Sequence, residues 1–326
     1  MLIKEMLFGY YDTQCIYIIA ELNIANYLQD GSQDISYLAK KTNVDENKLY
    51  RIMRFLSSKG LFDQSVGMVF SLNKESKQLI STGDSSLNDF VRFHGKYFYQ
   101  SARKILEGIK TNNIPFNIEF EESFWGFLNH NCDAGKIFNN SMKCASDSQA
   151  KIITDIYDFS TYKTVVDLGG GLGSLLVNIL HKYKSVTGIN LDLPTLSENA
   201  TNYFISQGLG DRCKYISGSF LEDIPKGCDL YILKAILHGK NDDLSMQVLK
   251  KCKSAMPNHG RLLVIDRVIS DDNDYVEACA NDINMLNVSG GKDRTLEEFK
   301  VLFDISGLTI ASVKKIQQSL SIIELE

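Results

Sequence analysis

The chain has 326 residues, of which 44% are hydrophobic and 23% charged, and its formal net charge is −5. This length and composition are typical of a globular protein with about two domains and a substantial core. The acidic balance argues against a chain-wide affinity for nucleic acid or anionic membranes, and no run approaches the ~18 apolar residues of a membrane span.

The cysteine pattern indicates the redox compartment. There are seven cysteines, an odd number, and none of them forms a C-x-x-C pair. A disulfide framework or a zinc cluster is therefore not expected, and a reducing cytoplasm fits best. The first residues, MLIKEMLFGYYDTQ, lack the apolar core and the small-residue cleavage site of a signal peptide. We therefore expect a cytoplasmic protein.

The first 30 residues carry aromatic and aliphatic side chains at helical spacing. A helix this apolar needs a partner, either in its own domain or in another subunit. The segment that follows predicts two short helices capped by Asp34 and Asp45, and SKGLFDQSVGMVFSL predicts a hairpin with a glycine turn. Helix, turn, helix and hairpin together describe a winged helix.

The winged helix allows two interpretations. It binds DNA through Lys48, Arg51 and Arg54 on the second helix, or it packs against a partner domain with these charges solvated. The acidic balance of the chain favours the second interpretation.

Residues from about 90 to 150 are helical and aromatic, and the only tryptophan, Trp125, lies beside Phe124. Such a cluster forms a core or walls a pocket for a planar ligand.

From about residue 160 strands and helices alternate. The segments KTVVDL, SVTGINLDL, CKYISGSF, DLYILKAIL and GRLLVIDRVI predict five strands. We interpret them as five βα units, which implies a parallel sheet covered on both faces. The last 20 residues, with TIASVKKIQ and SLSIIELE, break this rhythm and predict an antiparallel hairpin on the sheet edge.

The strongest chemical signal is VVDLGGGLGSLL. Asp167 ends a buried strand, and Gly169, Gly170, Gly171 and Gly173 form the turn before a helix. Such glycines let a ligand approach the backbone and expose the amides of the helix N-terminus. The alternative is a plain glycine-rich turn, but four glycines within five positions would then carry a needless entropic cost.

The next strand ends at Asp192, where a carboxylate is placed to accept hydrogen bonds from both hydroxyls of a ribose. The alternative is an aspartate that caps the turn before Pro194. A dinucleotide-binding turn would end on glycine or alanine, and the corresponding position here is Ser174. A later apolar strand, in LYILKAILHGKNDD, ends near His238, a titratable side chain followed by a polar run.

With DLGGGLG, LDLP, LKAILH, GRLLVIDRVI, DINML and GGKDRTLEEFKVLFDISGL in the family's order and spacing, the chain resembles class I S-adenosylmethionine-dependent O-methyltransferases. The branch is the one shared by plant phenolic and bacterial natural-product enzymes. The resemblance implies an α/β fold: a Rossmann-like sheet with a terminal antiparallel hairpin, preceded by a mostly α-helical winged-helix dimerisation domain. The implied boundaries are 1–100 for dimerisation, 101–155 for connecting helices at the substrate pocket, and 156–326 for catalysis.

The resemblance also implies roles for individual residues. Its cofactor-binding positions, for S-adenosyl-L-methionine, are Asp167, Gly169, Gly171, Gly173, Asp192, Leu193, Ser219, Phe220 and Lys234. Its general base falls on His238, flanked by the acids Asp266 and Asp293. Its acceptor-pocket positions are Phe138, Met142, Asn284 and Met285. No metal is implied, because the sulfonium of the cofactor is already an electrophile. The expected partners are a small-molecule acceptor and a second copy of the chain, with no nucleic acid and no membrane.

The chain departs from the family at three places. The family follows its histidine with Asp and Trp, where this chain has Gly239 and Lys240. Ser219 stands where an aspartate normally binds near the adenine, and the acids around the base are Asp266 and Asp293 instead of glutamates. A serine accepts a hydrogen bond without charge assistance, so these losses would weaken cofactor binding by about 1–3 kcal/mol.

Three functions follow, in decreasing order of support. The first is methyl transfer to a phenolic or enolic hydroxyl of a small-molecule secondary metabolite, with His238 as the base. The second is a repurposed enzyme on this scaffold that catalyses a dehydration, pericyclic or hydroxylation-type step. The third is a ligand-sensing transcriptional regulator that uses the winged helix. The retained cofactor segments favour the first, and the acidic balance disfavours the third.

Overall fold

The structure is a computed structural model that describes residues 2–83, 86–271, 274–317 and 319–326. The chain divides into two compact units. The first comprises Met1–Lys110 and Phe116–Ala145, and the second comprises Thr111–Pro115 and Ser146–Glu326. The expected domain boundaries at 100 and 155 stay predictions. No helix in the described part of the chain combines the length and the apolar character needed to cross a membrane.

The N-terminal half is mostly helical. Its elements are α1 (Leu2–Glu21), α2 (Ile24–Tyr27), β1 (Gln33–Asp34), α3 (Ile35–Thr42), α4 (Glu46–Ser58), β2 (Phe62–Ser65), β3 (Val69–Leu72), α5 (Asn88–Phe93), α6 (Tyr99–Ala102), α7 (Ile105–Thr111), α8 (Pro115–Phe120), α9 (Phe124–His130) and α10 (Cys132–Ile156). A π-helical turn, His94–Phe98, lies between α5 and α6.

The winged-helix arrangement is confirmed. Asp34 caps α3 by accepting a hydrogen bond from the Tyr37 amide at 2.8 Å, and Asp45 caps α4 through the Lys48 amide at 2.8 Å. Strands β2 and β3 form the predicted hairpin, and β1 completes a sheet of order β1-β3-β2. The apolar faces of α3 and α4 are buried, because their hydrophobic residues recur at helical spacing on one side.

The aromatic segment of the first unit forms a core. The rings of Phe116 and Phe124 lie edge to face with centroids 5.2 Å apart, and both side chains are buried. Phe127 joins them, with its centroid 5.5 Å from that of Phe116. Trp125 is half exposed, so the aromatic packing of this unit rests on its phenylalanines.

The C-terminal half alternates strands and helices. Its elements are β4 (Thr164–Leu168), α11 (Ser174–Lys182), β5 (Thr187–Asp192), α12 (Ser197–Ser206), β6 (Cys213–Ser217), β7 (Leu230–Lys234), α13 (Asp242–Ala255), β8 (Arg261–Ile269), α14 (Tyr275–Val288), β9 (Arg294–Thr295), α15 (Leu296–Ile305), β10 (Ile310–Gln317) and β11 (Leu320–Leu325). The sheet order is β10-β11-β8-β7-β4-β5-β6, and β9 pairs with β8.

This sheet confirms the predicted α/β architecture. Strands β4 to β8 are parallel, while β11 runs antiparallel to β8 and β10 antiparallel to β11. The terminal hairpin therefore lies at the sheet edge, as expected. The chain moves outward from β4 to β6 and then returns to β7 on the other side of β4. Ligands of such sheets bind outside the carboxyl ends of the strands at this switch point.

The expectation of five βα units is wrong at the third. Residues 218–229, between β6 and β7, contain no helix. The carbonyl of Ser219 accepts hydrogen bonds from the amides of Glu222 and Asp223, which closes a single turn. Pro225 then follows, and a proline has no amide with which to continue a helix.

Candidate active site

A buried carboxylate lies at the switch point. Asp167, near the end of β4, is 2% exposed, and its Oδ1 has no hydrogen-bond partner among the described residues. Burial raises the pKa of Asp167 to about 7, while the charge of Lys234 lowers this pKa and that of Asp192 raises it. A buried acceptor without a partner is costly unless a ligand satisfies it. Asp167 is therefore suited to accept a hydrogen bond from a cationic amine.

The glycine turn follows this carboxylate. Gly169, Gly171 and Gly173 have φ values of 74°, 59° and 85°, a region that side chains rarely adopt. Gly170 is required for a different reason. A Cβ there would overlap the Asn190 side chain and lie 2.7 Å from Asp167 Oδ2. The turn thus exposes its backbone and packs tightly against two buried polar side chains.

Asp192, at the end of β5, lies against the same turn. Its Oδ2 accepts a hydrogen bond from the Gly171 amide at 2.7 Å, and its Oδ1 accepts one from the Leu193 amide at 2.6 Å. Burial raises the pKa of Asp192, and both of these hydrogen bonds oppose that rise. Asn190, two residues earlier, donates to the Gly171 carbonyl at 2.9 Å and so ties β5 to the turn.

A ring and a cation also lie near the turn. The Phe220 ring has an atom 3.1 Å from where a Gly169 Cβ would be, so it packs on the glycine backbone. Lys240 Nζ lies 5.9 Å from the centroid of that ring, and burial lowers the pKa of Lys240. Ser219 Oγ accepts a hydrogen bond from the Leu221 amide at 3.2 Å. Ser219 and Lys240, two of the residues that depart from the family, thus lie next to the ring that packs on the glycine turn.

Lys234, the last residue of β7, is partly buried in the second unit. Its Nζ donates a hydrogen bond to Ser146 Oγ at 3.2 Å. Burial lowers the pKa of Lys234, whereas the charges of Asp167 and Asp266 raise it. Lys234 therefore lies in the electrostatic field of one acid near the glycine turn and of one acid near His238.

A sharp change of backbone direction places His238. Ala235, directly after β7, has a φ of 55°, which is uncommon for a residue other than glycine. Its amide still donates to the Ile265 carbonyl of β8 at 2.9 Å. A single 3₁₀ turn, Leu237–Gly239, follows, and the His238 amide donates to Asp266 Oδ2 at 3.1 Å. His238 is thus held by its own backbone against β8.

The imidazole of His238 lies between two carboxylates. Its Nδ1 is 3.5 Å from Asp266 Oδ1 and 3.4 Å from Asp293 Oδ1. Both aspartates are almost fully buried, whereas 19% of the histidine side chain is exposed. Within the described residues, Nε2 makes no hydrogen bond. One ring nitrogen therefore faces the acids and the other is left for a ligand.

These charges set the proton affinity of the ring. Burial alone would lower the pKa of His238, but the negative charges of Asp266 and Asp293 outweigh burial, so the pKa is raised above its usual value. Burial also raises the pKa of Asp266, partly offset by His238. A proton on Nδ1 would lie between both acids, which leaves Nε2 as the nitrogen that accepts a proton from a ligand.

The same three side chains each bring one donor atom within 4.8 Å of the others, which is also the spacing of a metal site. A metal there would need the neutral imidazole, whereas the acids around this ring favour its protonated form. The absence of a metal requirement stays a prediction.

Two asparagines support this site and were not identified from the sequence. Asn281, on α14, donates a hydrogen bond to Asp293 Oδ2, while the Asp293 amide donates to Asp282 Oδ1 at 2.9 Å. Asn190 supports the glycine turn in the same way. Asn190 is a polar residue in an otherwise apolar part of β5, which is a signal in the sequence, whereas Asn281 stands among other polar residues of α14 and has no such signal.

The four predicted acceptor-pocket residues fall in different units. Phe138 and Met142 lie on α10 within the first unit, where the Phe138 ring packs against Phe124 at a centroid distance of 5.1 Å. Asn284 and Met285 lie on α14 in the second unit and are partly exposed. Their role in binding an acceptor stays a prediction.

The glycine turn and its acids fit S-adenosylmethionine. The α-ammonium of that cofactor requires acceptors, which Asp167 offers through a buried oxygen without a partner. Its ribose diol requires an acceptor beside the turn, which Asp192 offers while anchored to Gly171. Its nucleobase requires a flat apolar surface, and Phe220 lies against Gly169. These are the chemical groups that the cofactor needs, and they meet at one end of the sheet.

Comparison with known proteins identifies the family. Residues 98–309 match the model of the O-methyltransferase domain, and residues 4–82 match that of the O-methyltransferase dimerisation domain. The chain is 33% identical over 323 residues to the phenazine O-methyltransferase PhzM of Lysobacter antibioticus, covering 99% of this chain and 95% of that protein.

Two solved structures extend the comparison. The mitomycin 7-O-methyltransferase MmcR is 30% identical with a TM-score of 0.93, over 100% of this chain and 96% of that one. NcsB1, an O-methyltransferase from neocarzinostatin biosynthesis solved with S-adenosylmethionine and 2-hydroxy-5-methyl naphthoic acid, is 26% identical with a TM-score of 0.84, over 97% and 95%. The chain therefore belongs to the S-adenosylmethionine-dependent O-methyltransferase family, with the family's dimerisation domain at its N-terminus.

Proposed function

We propose that this enzyme transfers a methyl group from S-adenosylmethionine to a hydroxyl on an aromatic small molecule of secondary metabolism, with His238 Nε2 as the general base. One observation supports this most directly. His238 Nδ1 lies within 3.5 Å of two buried carboxylates, and Nε2 has no hydrogen-bond partner among the residues described. This is the arrangement of an imidazole whose free nitrogen receives a proton.

The chemistry of the residues is consistent with this role. When bound, the cofactor supplies an electrophilic methyl group, so the protein has to orient the hydroxyl and remove its proton. A phenol has a pKa of roughly 10 and an ordinary imidazole one of roughly 6.5. Asp266 and Asp293 stabilise the imidazolium that forms, which raises the pKa of His238 and so reduces the difference from the pKa of the phenol. Asp167 and Asp192 would hold the amine and ribose ends of the cofactor.

The substrate class rests on the relatives named above, which are named for a phenazine and for mitomycin or were solved with a hydroxynaphthoic acid. The test is incubation with S-adenosylmethionine carrying a deuterated methyl group and three matched acceptors: a hydroxyphenazine, the corresponding aminophenazine and the methoxyphenazine. We expect one labelled methyl on the hydroxyphenazine and none on the methoxy compound. Labelling of the amine alone, or of no acceptor in a wider phenol panel, would contradict the proposal.

The raised pKa of His238 predicts a pH dependence. The base must be neutral to accept a proton, so kcat/KM should fall as the pH drops through this pKa, at a value above the ~6.5 of free histidine. Asp293→Asn removes a negative charge 3.4 Å from Nδ1 and should move this acid limb to lower pH. The measurement is kcat/KM against pH for both proteins.

A matched control is available in the first unit. Glu122 lies 2.8 Å from His130 Nδ1 on the surface, so Glu122→Gln also removes a carboxylate beside a histidine. This control should leave the acid limb where it is. If Asp293→Asn also leaves the limb in place, the group that titrates in catalysis is not His238.

We also propose that the working enzyme is a homodimer. Beside the matched dimerisation model, one stretch of α1 exposes a set of large apolar side chains: Leu2, Ile3, Met6, Leu7 and Phe8, each 57–75% exposed. An exposed apolar surface of this kind marks an interaction site.

Light scattering should give twice the chain mass, and Leu7→Glu should give a monomer. Val66→Glu, at a position 99% exposed on the hairpin turn, is the control that should stay dimeric. A monomeric wild type would contradict the proposal.

A further inference from the structure

Among the described residues of the second unit, Arg294 is the most deeply buried charged side chain. It is 0% exposed and opens β9, which pairs with β8. A buried guanidinium requires partners for its five N–H groups. Its partners are Leu237 O at 2.9 Å, Lys240 O at 2.9 Å, Lys292 O at 3.3 Å, Ser245 Oγ at 3.3 Å and Asp242 Oδ1 at 2.8 Å.

Two of these partners bracket His238. The carbonyls of Leu237 and Lys240 lie at the two ends of the 3₁₀ turn that carries the imidazole. Asp242 and Ser245 belong to the first turns of α13, which begins directly afterwards. One side chain therefore fixes the backbone on both sides of His238 and joins it to the following helix.

The backbone around Arg294 lies against the same turn. A Cβ at Gly291 would overlap the His238 carbonyl and lie 2.7 Å from the Lys240 amide nitrogen. Only a glycine therefore allows residues 291–294 to approach the turn this closely. The His238 turn thus rests directly on the segment that carries Asp293 and Arg294.

The acids around the imidazole are linked to the same residue. Asp293 immediately precedes Arg294 in the chain, and Arg294 pairs in register with Val268, two residues beyond Asp266 on β8. Arg294 is thus connected by one peptide bond to Asp293, by strand pairing to β8, the strand that carries Asp266, and by hydrogen bonds to the His238 turn.

We infer that Arg294 is a positioning residue. It fixes the position of His238 relative to the carboxylates of Asp266 and Asp293, and it does not touch the substrate or the cofactor. This inference rests on the proposed role of His238. The Leu237 and Lys240 carbonyls accept hydrogen bonds from different nitrogens of the guanidinium, Nη1 and Nη2, so the planar fork of arginine is needed. A lysine has a single nitrogen with three donors and cannot reach the same set.

The test uses Arg294→Lys, which keeps the charge and loses the fork. The charged groups that act on the His238 ring are Asp266 and Arg267 from β8, and Asp293 before β9. If His238 moves away from the two carboxylates, their charges no longer offset the lowering of its pKa by burial. The imidazole pKa, followed by NMR of histidine-labelled protein without substrate, should then fall by about one unit. The chain has five histidines, and His238→Gln assigns the signal.

Activity supplies the second readout. A displaced base should lower kcat by about 10²-fold, while the Kd for S-adenosylhomocysteine changes by less than about twofold. The matched control is Arg212→Lys. Arg212 also binds three main-chain carbonyls, those of Leu180, Lys184 and Val186, but it precedes β6, at the opposite ends of the strands from His238. It should lower thermal stability without changing the His238 pKa or kcat.

The outcomes are distinct. An unchanged imidazole pKa and kcat in Arg294→Lys, with only a lower melting temperature, would overturn the inference and leave Arg294 a stability residue. If Arg294→Lys does not fold, Asp242→Ala removes one partner of Arg294 from a half-exposed position and should shift the pKa and kcat in the same direction by less. No shift there would also overturn it. Full activity of His238→Gln would instead refute the proposed function.

Discussion

Replacing His238 with glutamine is expected to lower kcat for methyl transfer to an ordinary phenol by about 10²- to 10⁴-fold, the range that a positioned general base contributes. Glutamine is close in size and polar, but its amide does not accept a proton at neutral pH. Asp266 and Asp293 would remain in place without a cation between them. The measurement is kcat at saturating cofactor, together with calorimetric titration of S-adenosylhomocysteine.

The calorimetric arm separates chemistry from binding. The hydrogen bond and ion pairs of His238 go to Asp266 and Asp293 and not to the glycine turn, so the cofactor affinity of His238→Gln should stay within about threefold of wild type. A loss of kcat accompanied by an equal loss of cofactor affinity would indicate a collapsed site and would not support a base. An unchanged kcat would show that His238 is not the base.

The second large effect is expected for Gly170→Ala. The new methyl group would overlap Asn190 and come within 2.7 Å of Asp167 Oδ2, and neither side chain can move into solvent because both are buried. Such overpacking costs about 1–3 kcal/mol in the free energy of unfolding. Since Asp167 and the turn must shift to make room, the Kd for S-adenosylhomocysteine should rise by more than about tenfold.

Gly260→Ala is the matched control for this variant. A Cβ at Gly260 would lie 2.9 Å from Pro257 Cδ, which is also overpacking, in the turn that enters β8. We expect a similar loss of stability, measured by urea unfolding, with unchanged affinity for S-adenosylhomocysteine. If both variants bind the cofactor as the wild type does, the glycine turn at Gly170 is a structural turn and its assignment to the cofactor is wrong.

Much of this site was predictable because it uses strand ends and glycines. Asp167, Asp192 and Lys234 all fall at the carboxyl ends of apolar runs, and in a parallel sheet these ends meet at one edge. The caps Asp34 and Asp45 were predictable for a similar reason, since each precedes an amphipathic stretch of helical period. In each case the signal is local, so a single stretch of sequence contains it.

The rest depends on contacts between distant segments. Arg294 lies more than 50 positions from the Leu237 and Lys240 carbonyls that it binds, and main-chain acceptors have no signature in a sequence. The contact of Lys240 with Phe220 joins two loops in the same way. The helix expected between β6 and β7 was predicted wrongly, because strands and helices alternate before and after that segment. The turn at Ser219 and the proline at position 225 prevent a helix there.

The most direct test of the central claim compares two phenols of similar size, one with a pKa of roughly 10 and one acidified by ring fluorine atoms so that it is already ionised at the assay pH. Rates of methyl transfer are measured for the wild type and His238→Gln with each. If His238 removes the phenolic proton, the variant should lose about 10²-fold or more with the first phenol and less than about threefold with the second. An equal loss with both phenols would contradict the account, because a base is not needed where there is no proton to remove.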